Sequence, residues 1–133
     1  MSNIYYLELI ARRSDRQRFE DAGLHLKETR KLENSTKPYI YLFNEEANYE
    51  DFGKLEDVAN IKIPFYGSRE YESEYFGELF TSVQGKIQWV FMFNQNILIR
   101  IDHKMMKPVK EDLEKVKRYL EMLKLAKELI EKD

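Results

Sequence analysis

Apolar and polar positions alternate most regularly between Gly85 and Lys104, in the stretch GKIQWVFMFNQNILIRIDHK. Ile87, Trp89, Phe91 and Phe93 recur at every second residue, and Ile97, Ile99 and Ile101 do so after the interruption Asn94-Gln95-Asn96. Period two puts each set on one side of an extended strand. A three-residue loop would oppose Phe93 to Ile97, Phe91 to Ile99 and Trp89 to Ile101, with Asn96 tolerating the positive φ such loops need. A two-residue turn would set some of these against Arg100 or Asp102. Because a buried face specifies register strongly, the pattern predicts the three-residue loop and seven large side chains on one core face. Glu78 to Val83 extends the pattern backward, and a tight turn at Gln84-Gly85 opposes Phe80 to Trp89. Three consecutive strands then form an antiparallel meander.

Earlier in the chain the signals are shorter. Ile4 to Ala11 alternates as a first strand, with Tyr5, Leu7 and Leu9 toward the core. Ser14-Asp15-Arg16-Gln17 matches a capping box, Phe19 and Ala22 give a helix of about two turns its buried stripe, and Gly23 can end it in the left-handed region. Leu24, Leu26 and Leu32 suggest a second strand, and Asn34-Ser35-Thr36-Lys37-Pro38 a turn. Tyr39 to Phe43 is apolar on both faces and belongs inside the sheet. Tyr49, Phe52, Leu55 and Val58 recur every three residues and suggest a helix within 44–60, weakened by Gly53. Ile61 to Tyr66 reads as a strand that Pro64 places at an edge or gives a bulge. Residues 67–77 admit either period: a strand with Glu70, Glu72 and Glu74 on one face, or a helix stacking Tyr71 on Tyr75.

Lys107-Pro108 breaks the chain, and Pro108 suits the first turn of a long final helix. Its first half predicts a narrow buried line at Val109, Leu113, Val116 and Leu120. Its second half adds Tyr119, Met122, Leu123, Leu125, Ala126, Leu129 and Ile130, wider than the ~100° stripe one sheet covers. The excess has two readings: the helix passes beneath another element of its own chain, or it self-associates in a homodimer through Tyr119, Met122, Leu125, Ala126 and Leu129. The expected fold is α+β: a single domain over residues 1–133, with an antiparallel sheet of about six strands, a C-terminal β-meander, a short N-terminal helix and a long C-terminal helix packed on the sheet, all helices on one side.

Composition narrows function mostly by exclusion. The 133 residues lack cysteine, which removes disulfides, thiolate metal sites and thiol nucleophiles. No window of 18 apolar residues exists and the N-terminus alternates instead of resembling a signal peptide, so the expected setting is the cytoplasm, away from membranes. The glycines at 23, 53, 67, 77 and 85 never approach a phosphate-binding loop, and no cofactor is implied. His25 and His103 lack metal-ligand spacing and read as exposed strand residues. Asp102-His103-Lys104 matches half of a metal-dependent nuclease site, but the expected register turns Glu78, its local partner carboxylate, to the other face. The chain reads as a non-enzyme.

The net charge of −2 hides a strongly uneven distribution: residues 41–80 carry ten acids against three Lys/Arg, while both flanks are mildly basic. Tyr49, Phe52, Glu70, Tyr71, Glu72, Glu74, Tyr75 and Phe76 lie in this acidic, aromatic stretch. Tyrosine serves interface hot spots, and carboxylates around it steer a basic partner. The first expectation is therefore a protein-binding module, inhibitory or regulatory, that meets a basic protein surface. Its small size, lack of catalytic motifs and acidic-aromatic stretch suit a phage- or plasmid-type inhibitor of a nucleic-acid enzyme. The alternative is binding of nucleic acid or a nucleotide phosphate by Arg12, Arg13, Arg16, Arg18, Arg30 and Lys31 around the first helix start.

Overall fold

The computed structural model describes residues 5–24, 28–30, 39–47, 49–71, 76–94 and 96–132, with side chains placed for 6–24, 54–70, 76–94 and 96–132. Gln84 and Gly85 both adopt positive φ, +55° and +84°, the geometry of a two-residue turn between twisted strands. That turn joins β5 (Phe76–Val83) to β6 (Lys86–Phe93) and sets Phe80 opposite Trp89, as the alternation predicts. The remaining elements are β1 (Tyr5–Arg12), a 3-10 turn (Arg13–Asp15), α1 (Arg16–Asp21), β2 (Glu28–Arg30), β3 (Tyr39–Ala47), α2 (Tyr49–Asn60), β4 (Phe65–Tyr71), β7 (Asn96–Ile97), β8 (Ile101–Asp102), β9 (Lys107–Pro108) and α3 (Lys110–Glu131). One antiparallel sheet runs in the order β2-β3-β1-β4-β5-β6-β7, and β8-β9 forms a separate ribbon. The fold is α+β with a C-terminal meander and a long final helix on the sheet.

One face of the sheet holds the core. Leu7, Leu9 and Ala11 of β1, Phe65 of β4 and Phe80 of β5 pack with Phe19 of α1 and Leu55, Val58 and Ala59 of α2, all essentially without solvent contact. Phe19 meets Phe65 edge-on at 5.7 Å, Phe65 meets Phe80 at 6.0 Å, and Phe80 meets Trp89 at 4.9 Å between ring centroids. A continuous aromatic line thus runs from α1 across three strands. Gly23, at φ +86°, ends α1: its N–H bonds the Glu20 carbonyl and the Leu24 N–H bonds that of Phe19. Gly67 lets β4 lie close to β1, since a Cβ there would collide with the Glu8 carbonyl.

The opposite face is covered by α3, so the helices flank both sides of the sheet instead of one. Its buried residues are Tyr119, Ala126 and Ile130, spaced seven and four apart on one helical face. They lie with Val90 and Met92, the face of β6 that the sequence pattern had pointing away from the core. Leu113 and Leu120 are exposed, correcting the expected buried line in the first half of this helix. Pro108 belongs to β9, not to the first helical turn, and Val109 precedes α3.

The hairpin after β6 departs most from the pattern. Met92 pairs with Ile97 and Phe93 with Asn96, so two residues separate the paired positions, with Asn94 at φ +50°. This register sets Met92, not Phe93, opposite Ile97. The second strand stops after Ile97, because Arg100 is claimed elsewhere: its guanidinium grips Asp112 at 2.8 and 2.9 Å, and its carbonyl accepts the Val109 N–H. Ile101, expected opposite Trp89, instead pairs with Pro108. Pro64 precedes β4 instead of interrupting it, and β4 lies inside the sheet between β1 and β5. The capping box does not form as drawn, since the Gln17 amide donates forward to Asp21 at 2.8 Å.

Candidate protein-binding surface

The described helices cover only half of the core face of the sheet. Paired residues across antiparallel strands share a face, so the Phe80–Trp89, Glu78–Phe91 and Phe76–Phe93 pairs of β5 and β6 stand in line on one surface. Phe80 is fully buried beneath the helices, whereas Phe76, Phe93 and Phe91 are 42%, 45% and 61% exposed. Phe76 and Phe93 stack in a tilted pair with centroids 4.9 Å apart. Phe91 and Phe93 were expected in the core and are not in it. The period-two signal was correct, but among the described residues no helix reaches that end of the sheet face.

Between the covered and open halves lies a bridge of charge. Arg69 reaches across from β4, its guanidinium 4.2 Å from the centre of the Trp89 ring and its Nε 2.9 Å from Glu78. The ion pair is mostly shielded from solvent, so both charges are satisfied where they are partly desolvated. Stacking holds Trp89 flat and half-buried beside exposed Phe91. Beyond this bridge, at the outer flank of β6, a cleft of about 330 Å³ is lined by Trp89, Phe91, Leu98 and the α3 residues Asp112, Lys115 and Val116, among others. Hydrogen bonds from the Arg100 side chain, then from its backbone N–H, lower the Asp112 pKa to about 2. Asp112 is therefore a fixed anchor for α3 and unsuited to proton transfer.

Of the residues expected from the acidic stretch, only Glu70 and Phe76 have described side chains, and these two lie on opposite faces of the sheet. Phe76 joins the open aromatic surface. Glu70 points to the α3 face, where burial first and Glu8 second raise its pKa. Tyr49 and Phe52 belong to α2 and Tyr71 ends β4, their side chains lying outside the described set, while Glu72, Glu74 and Tyr75 lie outside the described residues altogether. The arginine cluster is largely engaged within the chain: Arg12 holds buried Asp15 at 2.7 Å, Arg18 approaches the same carboxylate at 3.9 Å, and Arg16 lies 3.5 Å from Glu20. Arg13 is exposed in the 3-10 turn, Arg30 ends β2, and Lys31 lies outside the described residues.

Of the proposed self-association residues, Tyr119 and Ala126 are buried against the chain's own sheet, Met122 and Leu129 are half-buried, and Leu125 is exposed. Asp102 caps its own hairpin, accepting from the backbone N–H groups of Lys104 and Met105, and Glu78 is committed to Arg69. Among the described residues no group of three or more His, Asp or Glu side chains could hold a metal ion, and no helix is long and apolar enough to cross a membrane. Comparison with protein families, with curated proteins and with solved structures finds no match to the chain.

Proposed function

We propose that the chain is a non-enzymatic protein-binding module whose contact surface is the open aromatic half of the sheet, Phe76, Phe91 and Phe93, bounded by Trp89 and Arg69. The observation that carries this reading is Phe91, 61% exposed on a regular central part of β6. Three large rings held by a rigid sheet present apolar area at small entropic cost, the property of interface anchors. A grouped apolar surface of this kind marks an interaction site, whereas single exposed hydrophobics do not. The nucleic-acid alternative draws less support, since Arg12, Arg16 and Arg18 already face carboxylates. For a basic partner, Glu70 gives no direct support at this surface, since it stands on the opposite face from Phe76.

Photo-crosslinking tests the reading. A benzoylphenylalanine at position 93, expressed in the source cells, should trap a discrete protein, and the same probe at exposed Glu20 on α1 should not. Absence of any adduct at 93, or equal adducts from both positions, removes the aromatic surface as the contact.

A further inference from the structure

The outer flank of β6 carries a more specific arrangement. Backbone groups of alternate strand residues point to the same side. The Phe91 carbonyl accepts the Leu98 N–H on the β7 side at 2.8 Å, so Trp89 and Ile87 turn their backbone groups to that side as well. Yet β7 pairs with β6 only at Met92 and Phe93, and among the described residues no strand continues along Lys86 to Val90. The Trp89 carbonyl is taken by the Gln88 side-chain amide at 3.0 Å, a neighbour that can rotate away. An open edge of this kind is a template for another strand.

The cleft straddles this edge. On one side stand Trp89 and Phe91, on the other Lys115 and Val116 of α3. Lys86 and Gln88 share the α3 side of β6, and Arg118 of α3 reaches Gln88 at 3.5 Å. The carboxylates lining the cleft are already held, Glu78 by Arg69 and Asp112 by Arg100. Lys86, Lys115 and Arg118 form no ion pair among the described residues. The strand side of the cleft is thus aromatic, while on the α3 side Lys115 lines it beside the held Asp112, with Lys86 and Arg118 close by.

We propose that this edge receives a short extended segment of a partner protein in which acidic and apolar residues alternate, paired to the backbone of Ile87 and Trp89. In a strand, successive side chains point to opposite sides, so one set would meet Trp89 and Phe91 and the other Lys86, Lys115 and Arg118. This is strand addition, in which main-chain hydrogen bonds give affinity and alternate pockets give specificity. It rests on the protein-binding reading and names the partner's chemistry. A second copy of the chain fits poorly, because twofold pairing of β6 with β6 would bring the same three cations of each copy together.

Trp89 is the only tryptophan, so its fluorescence reports on the cleft directly. The probe is a capped heptapeptide alternating Glu with Val or Phe, titrated to about 1 mM beside its Lys-for-Glu counterpart and a single-stranded DNA decamer. The Glu peptide should shift Trp89 emission saturably and bind about tenfold or more tighter than the Lys peptide, a difference of ~1.4 kcal/mol. Lys115→Glu with Arg118→Glu, both on the exposed side of α3, should reverse that preference. N-methylation of one alternate set of peptide amides should abolish binding, and methylation of the other set should not. Equal binding of both peptides, indifference to the position of methylation, tighter binding of the DNA, or no saturable shift overturns the proposal. If adducts form at position 93 while the peptides fail, the aromatic surface stands and only the strand addition falls.

Discussion

Two aromatic pairs on the same two strands meet opposite fates. Phe80–Trp89 and Phe76–Phe93 are each cross-strand partners, on the same face, with ring centroids 4.9 Å apart. The first pair lies at the helix-covered core, Phe80 completely buried, and the second faces solvent. Strand geometry, residue type and stacking distance are matched, so the difference comes from what lies above. Phe19 with Leu55, Val58 and Ala59 covers one end, and no described helix covers the other. An apolar face on a strand is thus a necessary feature of a core without being sufficient evidence of one. Where coverage by the described helices stops, the same pattern becomes an exposed aromatic surface.

The largest expected contrast lies in stability. Phe80→Ala should cost about 3–5 kcal/mol in chemical denaturation, the range for a buried aromatic truncated to a cavity. Phe76→Ala or Phe93→Ala should cost no more than about 0.5–1.5 kcal/mol, the worth of a stacked pair beyond area burial. Comparable losses at Phe80 and Phe93 would mean the open half is covered after all. Next in size, Gly67→Ala should destabilise by about 1–3 kcal/mol, since its Cβ meets the Glu8 backbone and the sheet must shift.

Smaller effects sharpen the picture on the α3 side. Thr81 is fully buried, and among the described residues its hydroxyl has no hydrogen-bond partner. Thr81→Val should therefore leave stability unchanged or raise it by about 1 kcal/mol, and a clear loss would reveal a partner for that hydroxyl. The Glu70 pKa is raised, so the folded state binds this proton more tightly than the unfolded chain and is penalised at neutral pH. Glu70→Gln should raise the melting temperature at pH 7, with the gain fading as pH falls through the raised pKa. Asp112 behaves oppositely. Its pKa of about 2 means that its contribution is present above the ordinary carboxylate range and lost as pH falls toward 2. Asp112→Asn should flatten the acid limb of the stability curve without altering its alkaline limb.

Local chemistry was legible in the chain wherever a few adjacent residues decide the outcome. Gly23 ends α1, Gln84-Gly85 makes the β5–β6 turn, and the Phe80–Trp89 pairing follows from it. The helix at Tyr49–Asn60 and the interior place of β3 were readable from periodicity alone. The β6–β7 register was not, because maximising apolar overlap favours a three-residue loop. Its determinant is distant: the grip of Arg100 on Asp112, twelve residues on, draws the chain away to α3 after Ile97. The candidate surface was hidden for the same reason. Phe91 and Phe93 carry a core signal, and only the limited reach of α1 and α2 shows that the signal lies on the outside. Exposed aromatics in an otherwise regular strand could have been suspected from their excess alone, eight Phe and nine Tyr in 133 residues.

The central claim is that the covered aromatics hold the fold and the open ones hold a partner. It is tested most directly by the affinity of the protein trapped at position 93 for a Phe76→Ser, Phe91→Ser, Phe93→Ser variant whose melting temperature is recorded alongside. The expected result is a loss of about 100-fold or more in affinity, as for removal of hot-spot anchors, with the variant still folding cooperatively and its melting temperature falling less than that of Phe80→Ala. Native affinity in the triple variant, or collapse of its melting temperature to that of Phe80→Ala, contradicts the account.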